Sequence, residues 1–520
     1  MMVEINNLSI TMKENDRPLL TNFSFSLQKG DKIAIIGEEG NGKSTLIKAI
    51  VDMKLLEDYC NIKGNIIKNG YIGYLEQFLD KVWDNVTVLE YFFKEYPTEE
   101  VDYSKYKDIA NIKINIEKVD LDQKILESEQ QISTLSGGEK VKIQLAKILI
   151  KNPDVLLLDE PTNDLDIHTL EWLEDFILSA NIPVLYISHD EKLLEKTANG
   201  IIHLEQIKRK SEMRYTIEHI GYKEYVEKRL GLIERQDKIA KKQRSEYKKQ
   251  MNKYNEIYQK VESQQNTITR QDPHSGYLLK KKMKTLKAQE KRFDKQKEDF
   301  EDIPDVEEAI LFLFSDNIYI PNSKIVLDFK IKELSISEKV LFKNIELKVI
   351  GSKHIGIIGN NGTGKTTLIK QIYSLMKGRE DIKVGYMPQN YELGINENMS
   401  AIDFLVPSGI KDEVTKARTF MGSMNFTAEE TMGMIKNLSG GQKAKVLLLK
   451  LILEQANVLI LDEPTRNLSP LSNPIIREVL SNYTGAIISI SHDRKYIENV
   501  CDEVYELTKD GLINITSNFS

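Results

Sequence analysis

Four short motifs occur twice, in the same order, in this chain of 520 residues. The first is a glycine-rich loop of the form Gly-x-x-x-x-Gly-Lys-Ser/Thr, which ends at Ser44 in one copy and at Thr366, 322 residues later, in the other. Leu-Ser-Gly-Gly, Leu-Asp-Glu-Pro-Thr and Ser-His-Asp segments follow, and all three recur at a spacing of 303 residues. A constant spacing over three motifs indicates two related domains, the first of which is longer by about 19 residues in its front half.

Each glycine-rich loop lies between a short apolar run and an amphipathic segment, which predicts a strand, a phosphate-binding loop and a helix. Glycines let backbone N–H groups close around phosphates, the lysine meets the β and γ charge, and the hydroxyl binds Mg²⁺. We therefore expect both loops to bind a nucleoside triphosphate. The predicted binding residues are Gly37, Gly40, Asn41, Gly42, Lys43, Ser44 and Thr45, and Gly359, Gly362, Thr363, Gly364, Lys365, Thr366 and Thr367.

An apolar run ends in Asp-Glu in each copy, a pattern typical of a buried parallel strand that delivers carboxylates to the carboxyl edge of a sheet. We expect each aspartate to orient Mg²⁺ through its water, and each glutamate to take a proton from the water that attacks the γ-phosphate. A histidine after another predicted strand is expected to hold that water or the phosphate. These residues are Asp159, Glu160 and His189 in the first copy, and Asp462, Glu463 and His492 in the second.

Composition excludes several classes of protein. Hydrophobic residues make up 41% of the chain and charged residues 29%, which is ordinary for a globular protein. No apolar run approaches the roughly 18 residues that a membrane helix needs, and the first residues lack the pattern of an export signal. Cys60 and Cys501 are the only cysteines, which excludes a disulfide framework or a four-cysteine metal site. We therefore expect a cytoplasmic protein without a membrane segment.

The segment between the two copies predicts a helical hairpin. Gly and Pro are rare there. Apolar residues recur every three or four positions from Tyr247 to Val261 and continue in a heptad-like pattern from Leu279 to Phe300. Asp-Pro and Ser-Gly steps between these stretches are turn signals. We expect a first helix from about residue 232 to 264, with a break at Gly231, and a tip loop at about 265–277. The predicted domains are residues 1–221, 222–303 and 304–520.

This hairpin is strongly basic. Residues 227–300 contain 21 Lys plus Arg against 11 Asp plus Glu, a net charge of +10, although the whole chain carries −7. Such a segment suits contact with RNA phosphates, but charge runs on helices are also commonly solvated faces. The candidate RNA contacts are Lys241, Lys242, Arg244, Lys248, Lys249, Arg270, Lys280, Lys281, Lys282, Lys284 and Lys287.

Leu-Ser-Gly-Gly between a phosphate loop and a Leu-Asp-Glu-Pro-Thr strand resembles the ATP-binding cassette (ABC) superfamily, and both copies carry it. The resemblance implies an α/β fold in which each nucleotide-binding domain has a mixed-sheet core and a helical subdomain. It also implies that each signature segment completes the site of the opposite domain, so that one monomeric chain sandwiches two ATP molecules with Mg²⁺. The residues added by the resemblance are Ser136, Gly137 and Gly138, Ser439, Gly440 and Gly441, and the Mg²⁺-sensing glutamines Gln77 and Gln389.

The family's motifs, matched to this chain, also imply the ligands of Mg²⁺, some of which bind the ion through water. They are Ser44, Gln77, Asp159, Thr366, Gln389 and Asp462. Two departures stand out. Ser469 stands where the first copy has Asp166, so we expect the two sites to differ in turnover. Met12 lies where many members stack an aromatic residue on adenine, so we expect loose base selectivity.

Two cassettes joined by a helical hairpin resemble the F class of ABC proteins, which bind ribosomes. The resemblance implies that the hairpin enters the tRNA exit site of the 70S ribosome and approaches peptidyl-tRNA and the ribosomal RNA of the peptidyl-transferase centre. The long arm and the segment from Thr465 to Pro470 resemble the subset that protects ribosomes of Gram-positive bacteria from lincosamides, streptogramin A and pleuromutilins. A housekeeping translation factor is the alternative within the class. The ATPase subunit of an importer is a further alternative, although such a subunit needs no basic hairpin.

Overall fold

The computed structural model describes residues 2–101, 108–207, 212–267, 273–298, 300–301, 304, 318–336 and 339–518. The chain divides into two compact units, one comprising residues 1–222 and 307–520 and the other residues 223–306. In the first unit we call residues 2–222 the first cassette and residues 318–518 the second cassette. The second unit is called the hairpin.

The core of the first cassette is a six-stranded mixed sheet. In spatial order its strands are β5 (Ile72–Leu75), β6 (Val155–Asp159), β7 (Val184–Ile187), β3 (Lys32–Ile36), β8 (Gly200–Ile207) and β9 (Glu212–Glu218). Neighbouring strands run parallel except β8 and β9, which pair antiparallel. A smaller antiparallel sheet follows the order β2 (Pro18–Leu27), β1 (Val3–Met12) and β4 (Cys60–Lys68).

Six α-helices accompany these strands within the described part of the first cassette. They are α1 (Lys43–Val51), α2 (Val88–Phe93), α3 (Ile109–Lys118), α4 (Gly137–Ile150), α5 (Ile167–Ser179) and α6 (Glu191–Thr197). Every residue of β3, β6 and β7 is buried, because layers of structure cover both faces of the parallel part of the sheet. The carboxyl ends of β3 and β6 therefore bring the first phosphate loop and the Asp159-Glu160 pair to one edge of the sheet.

The second cassette repeats this sheet. Its strands in spatial order are β13 (Val384–Met387), β14 (Val458–Asp462), β15 (Ala486–Ile490), β12 (His354–Ile358), β16 (Glu503–Thr508) and β17 (Gly511–Asn514), with only the last pair antiparallel. A separate antiparallel pair is formed by β10 (Ile325–Ile336) and β11 (Lys339–Ile350). The helices are α9 (Lys365–Met376), α10 (Ala401–Leu405), α11 (Lys411–Ser423), α12 (Ala428–Met432), α13 (Gly440–Leu453), α14 (Asn473–Ser481) and α15 (Arg494–Val500).

The predicted α/β fold, with two mixed-sheet cores and a helical segment between them in the chain, is confirmed. Among the described residues, no helix has both the length and the apolar character that a membrane crossing requires.

The hairpin consists of α7 (Tyr222–Thr267) and α8 (Pro273–Glu298). Its two helices run antiparallel, since Tyr247 contacts the rings of Phe293 and Phe300, whereas Tyr254, one heptad later, donates a hydrogen bond to Glu290. The apolar positions found from the sequence spacing form the seam between the helices. Its buried members are Tyr254, Val261, Leu286 and Phe293, and Tyr247, Met251, Tyr258, Leu279 and Met283 pack against them.

Two predicted boundaries of the hairpin are wrong. Gly231 does not break the first helix, which runs unbroken through it for 46 residues, or roughly 70 Å. A single glycine costs a helix interior only about 1 kcal/mol, and the helix formers around it outweigh that. The tip is also shorter than the expected 265–277, because helix extends to Thr267 and resumes at Pro273, a residue well suited to the first position of a helix. Arg270 lies outside the described residues.

Candidate functional site

The two phosphate loops have the backbone that a polyphosphate requires. Gly40 and Gly42 adopt φ values of 82° and 86°, and Gly362 and Gly364 adopt 78° and 95°, a left-handed region that favours glycine. At Gly37 a side chain is also sterically excluded, since a Cβ atom would lie 2.2 Å from the carbonyl oxygen of Leu204. Both loops therefore hold their N–H groups in a tight turn at the start of a helix, where an anion binds favourably.

The loop lysines are buried and face inward. Lys43 Nζ donates to the carbonyl oxygens of Gly37 and Glu38, at 2.9 Å each. Lys365 Nζ makes the equivalent bonds to Gly359 at 2.6 Å and Asn360 at 2.9 Å. Each ammonium group is thus held in the concavity of its own loop, where phosphate oxygens can replace the carbonyl partners.

Acidic pairs stand at the ends of β6 and β14. Glu160 and Glu463 have φ values of 49° and 55°, which are strained for residues with a side chain. Strain of this kind is typical of functional positions, where the surrounding structure imposes it. Here the positive φ directs each glutamate away from the axis of its strand, and the glutamate lies beside the histidine that follows the neighbouring strand.

The donor set fits Mg²⁺. The Ser44 hydroxyl donates to Asp159 at 2.9 Å, and burial raises the pKa of that carboxyl to about 6. Burial also raises the pKa of Asp462, against the hydroxyl of Thr366. Among the described residues, no group of three or more His, Cys, Asp or Glu side chains could hold a metal ion. One carboxylate with one hydroxyl suits Mg²⁺, which takes its other ligands from phosphates and water.

Glu160 lies at the centre of a hydrogen-bonded network. Gln77 and Asn163 donate side-chain N–H groups to it at 2.7 and 2.8 Å, and His189 Nε2 lies 3.4 Å away. Although burial opposes ionisation, His189, Lys43 and Asn163 outweigh it and lower the pKa of Glu160 to about 2. His189 Nδ1 lies 2.7 Å from the carbonyl oxygen of Leu468 in the second cassette, and this nitrogen carries the proton because a carbonyl only accepts. Glu160 is therefore an oriented, ionised carboxylate.

The second site has a different arrangement. Glu463 accepts the backbone N–H of His492 at 3.2 Å, and His492 Nε2 lies 3.7 Å from it. Burial raises the pKa of Glu463 to about 8 and lowers that of His492 to about 3. Arg466 stands where the first site has Asn163, and it pairs at 2.9 Å with Asp164 of the first cassette. Gln389 lines this cavity of about 460 Å³ together with the predicted loop residues Gly362, Gly364, Lys365, Thr366 and Thr367.

The first site contains a cavity of about 430 Å³ next to the phosphate loop. Met12 lines it, as does Tyr59, which sequence reasoning missed because it lies in no motif. Arg17 is a second missed residue, and its guanidinium donates to the carbonyl oxygen of Gly40 at 3.2 Å. An aromatic ring and a guanidinium beside a phosphate loop suit the base and phosphates of a nucleotide.

The first phosphate loop directly contacts the signature segment of the second cassette. Glu39 accepts the backbone N–H of Gly441 at 2.6 Å. Glu38 accepts hydroxyl bonds from Ser472 and, at 2.9 Å, from Ser469, and it lies 3.5 Å from Lys445 Nζ. Burial opposes the ionised form, but these three partners hold the pKa of Glu38 below its usual value. Both glutamates were missed, because the loop motif leaves their positions open.

The second phosphate loop contacts the first cassette through a different segment. The Asn361 side chain donates to the carbonyl oxygen of Asp164. Ser136 engages its own helix, where its hydroxyl accepts the Glu139 N–H at 3.3 Å, and Ser439 caps α13 in the same way. Each signature serine thus fixes the start of a helix whose N–H groups face outward. The structure brings Gly441 to the first loop and Asp164 to the second.

Most predicted RNA contacts lie exposed on the hairpin. Of the ten within the described residues, nine are exposed. Lys241 pairs with Asp237 at 2.7 Å. Arg244 is partly buried and donates to the carbonyl oxygens of Ala240 and Glu301 at 3.2 and 3.1 Å, which is a structural arrangement.

Comparison with known proteins gives a consistent result. The ABC transporter family matches residues 20–163 and 342–466. The ATP-binding protein Uup of Buchnera aphidicola subsp. Schizaphis graminum is 30% identical over 520 residues, which cover 96% of this chain and 80% of that protein. The ribosome protection protein VmlR of Bacillus subtilis is 28% identical over 526 residues, covering 98% and 87%. The archaeal ribosome recycling factor aABCE1, solved in complex with the ribosomal stalk protein aP1, shares the fold with a TM-score of 0.56 and 16% identity, covering 98% and 90%.

Proposed function

This chain belongs to the F class of the ABC superfamily and is an ATP hydrolase, and we propose that it binds the bacterial ribosome and protects it from antibiotics. In this proposal the hairpin enters the ribosome from the tRNA exit site and approaches the peptidyl-transferase centre. The antibiotics concerned are of the lincosamide, streptogramin A and pleuromutilin types. The protein acts in the cytoplasm, as a monomer.

The chemistry assigned to each ATP site follows from its residues. The phosphate loop and its lysine bind the phosphates, and the signature helix of the opposite cassette supplies further N–H groups. Glu160 and Glu463 take a proton from the attacking water, and His189 and His492 hold that water or the γ-phosphate. Mg²⁺, held by Ser44 with Asp159 and by Thr366 with Asp462, would neutralise charge on the phosphates. In this proposal, Gln77 and Gln389 sense the ion and the attacking water.

One observation carries the ribosomal proposal: among the described residues, a stretch of α8 presents exposed lysines that form no ion pair. Lys280, Lys281, Lys282, Lys284 and Lys287 lie exposed along one stretch of α8. Unpaired cations in such a row bind an RNA backbone by releasing its counterions. A transporter ATPase subunit has no use for this arm, and the similarity to VmlR extends over 98% of the chain.

The proposed cycle couples the two parts of the chain. ATP binding closes the cassettes around both nucleotides, which fixes the hairpin in the orientation that binds the ribosome. Hydrolysis at Glu160 and Glu463 then releases the protein. The contacts of Glu39 with Gly441 and of His189 with Leu468 show that residues of both cassettes meet at the first site, so closure there acts on both.

A housekeeping role in translation is the second candidate. It is favoured by the similarity to Uup, which is as close as the similarity to VmlR. The two candidates share the ATP chemistry and ribosome binding. They differ in whether the protein changes the sensitivity of the ribosome to drugs.

The first test is co-sedimentation with bacterial 70S ribosomes. The Glu160→Gln, Glu463→Gln double variant should bind ATP, remain closed, and pellet with ribosomes only when ATP is present and less well at high salt. A variant that also carries Lys43→Ala and Lys365→Ala serves as the control that cannot close. Failure to pellet in every nucleotide state would overturn the proposal and favour the transporter subunit.

The second test separates the two candidates. Expression in a susceptible Gram-positive host should raise the inhibitory concentration of at least one lincosamide, streptogramin A or pleuromutilin, and the double Gln variant should not. Purified protein should likewise restore translation in a drug-inhibited extract. Ribosome binding without any change in drug sensitivity would support the housekeeping role.

A further inference from the structure

A buried group of four charges lies where α5 and α6 of the first cassette meet α14 and α15 of the second. Its members, Glu174, Glu191, Arg477 and Arg494, are only 1 to 6% exposed. Arg477 forms a two-pronged ion pair with Glu191, at 2.6 and 3.0 Å, and Arg494 pairs with Glu174. Charges this deeply buried are tolerated only when each one has its partner.

The internal repeat reveals how these charges are distributed. At the spacing of 303 residues, Glu174 is equivalent to Arg477, and Glu191 is equivalent to Arg494. The helices correspond as well, since α6 begins at Glu191 and α15 begins at Arg494. At both equivalent positions the first cassette therefore carries an acid and the second carries a base.

We propose that these four residues determine which cassettes pair with each other. They make the surface of the first cassette complementary to a cassette that carries the two arginines and incompatible with another copy of the first cassette. Two first cassettes meeting through this surface would bury four carboxylates together, and two second cassettes would bury four guanidinium groups. Glu174 would keep only the exposed Lys196 of its own cassette, and Arg477 only Asp493 at 3.6 Å. Both arrangements lose the arginine–glutamate pairs between cassettes and are disfavoured. These charges select the second cassette as the partner, so composite ATP sites form only between a first and a second cassette.

A neighbouring set of charges provides an internal contrast. Lys192 pairs with Glu498, and Lys495 pairs with Glu195, around the edge of the buried group. At the same spacing Lys192 is equivalent to Lys495, and Glu195 to Glu498, so both cassettes carry the same charges there. These outer pairs would form in like and unlike pairings alike, and they are 21 to 35% exposed. They contribute no selectivity and little affinity.

The test uses the full chain with grouped substitutions. The first-cassette variant carries Glu174→Arg and Glu191→Arg, and the second-cassette variant carries Arg477→Glu and Arg494→Glu. Each leaves four like charges at the surface, so its ATPase rate should fall at least about tenfold, because both sites need apposed cassettes. The quadruple variant restores both arginine–glutamate pairs, although Asp190, Asp493, Lys196 and Lys495 then each face a like charge. Its rate should therefore exceed that of either grouped variant at least about threefold and stay below that of the parent chain. The matched control, Glu195→Lys with Glu498→Lys, has the same charge change as the first-cassette variant and should stay within about threefold.

Mixing supplies a second readout that does not depend on a single variant. The two grouped variants should be inactive apart, but together they carry complementary surfaces. Their mixture should hydrolyse ATP at least about tenfold faster than either alone, and light scattering should show a species of twice the mass. Normal activity of both grouped variants would overturn the proposal. The proposal would also be overturned if the quadruple variant remained inactive and the mixture gained neither activity nor mass.

Discussion

The first phosphate loop has Glu38 at the position where the second has Asn360. The segments that face the loops show the opposite difference, since Ser469 faces the first loop and the carboxylate Asp166 faces the second. Ser469 donates to Glu38 at 2.9 Å, whereas its counterpart Asp166 faces the backbone N–H of Asn361, which is the counterpart of Glu39. At these aligned positions the carboxylate is thus Glu38 of the phosphate loop in the first site and Asp166 of the opposite cassette in the second. The replacement of aspartate by Ser469 is therefore matched by a change across the interface.

This compensation predicts a rescue. In a Glu463→Gln background, where the remaining hydrolysis belongs to the first site, Ser469→Asp should slow hydrolysis about tenfold, because it places a second carboxylate against Glu38. Adding Glu38→Asn places the residue of the second loop at this position, removes the repulsion between the two carboxylates, and should restore most of the rate. Steady-state ATPase rates for the two single changes and the double change measure the coupling. Additive losses would contradict a direct contact between these residues.

The two glutamates proposed as bases differ in how firmly they are held. Two side-chain amides donate to Glu160 at 2.7 and 2.8 Å, whereas the described partner of the Glu463 carboxylate is His492. An oriented base lowers the barrier further, and losing a base slows hydrolysis by about 10² to 10⁴. Glu160→Gln should therefore remove more of the total ATPase activity than Glu463→Gln, while ATP binding is retained in both. Equal losses, measured alongside nucleotide affinity, would argue against a difference between the sites.

At the scale of single elements, the long helix of the hairpin contains a glycine at a position where a larger side chain would fit. Gly231 lies exposed within α7, with open space around the position of a Cβ atom. Gly231→Ala should stabilise the helix by about 1 kcal/mol, and Gly231→Pro should destabilise it by about 3 kcal/mol or more. Thermal unfolding followed by circular dichroism checks both changes. A destabilising alanine would mean that the helix needs the flexibility of glycine at this point.

The charged face of α8 supports a prediction about RNA. Changing Lys280, Lys281, Lys282 and Lys284 to Gln should weaken ribosome binding and flatten its salt dependence, by roughly 0.7 to 0.9 in slope for each lost phosphate contact. Basal ATPase activity should not change. The matched control neutralises Lys54, Lys63, Lys124 and Lys411, which are exposed on the cassettes. Binding that falls equally in both sets would reflect net charge rather than the hairpin.

Sequence reasoning succeeded where one motif or one periodicity decides the structure. The heptad spacing identified the seam of the hairpin, including Tyr254 and Phe293, because packing between two helices depends on local repeats. It failed for the helix at Gly231, where neighbouring residues outweigh the local preference. It also failed for Glu38, whose bond to Ser469 joins residues 431 positions apart in the chain. Such contacts depend on the packed structure and leave no local signal.

In the whole molecule, residues of both cassettes lie beside each phosphate loop within one chain, which predicts an activity independent of concentration. His189 of the first cassette contacts Leu468 of the second, and Asn361 of the second contacts Asp164 of the first. Because each half is tethered to the other, their effective concentration does not change on dilution. ATPase activity per molecule should therefore stay constant over a roughly hundredfold dilution, and the protein should remain monomeric.

The mixture of the two grouped interface variants provides the control for this measurement. There the cassettes pair between chains, so activity must fall as the protein is diluted below the dissociation constant of the pair. The parent chain and the mixture would thus contain the same catalytic residues and differ only in connectivity. A parent chain whose activity fell on dilution in the same way would show that its working sites form between molecules, and the tandem arrangement would then need another explanation.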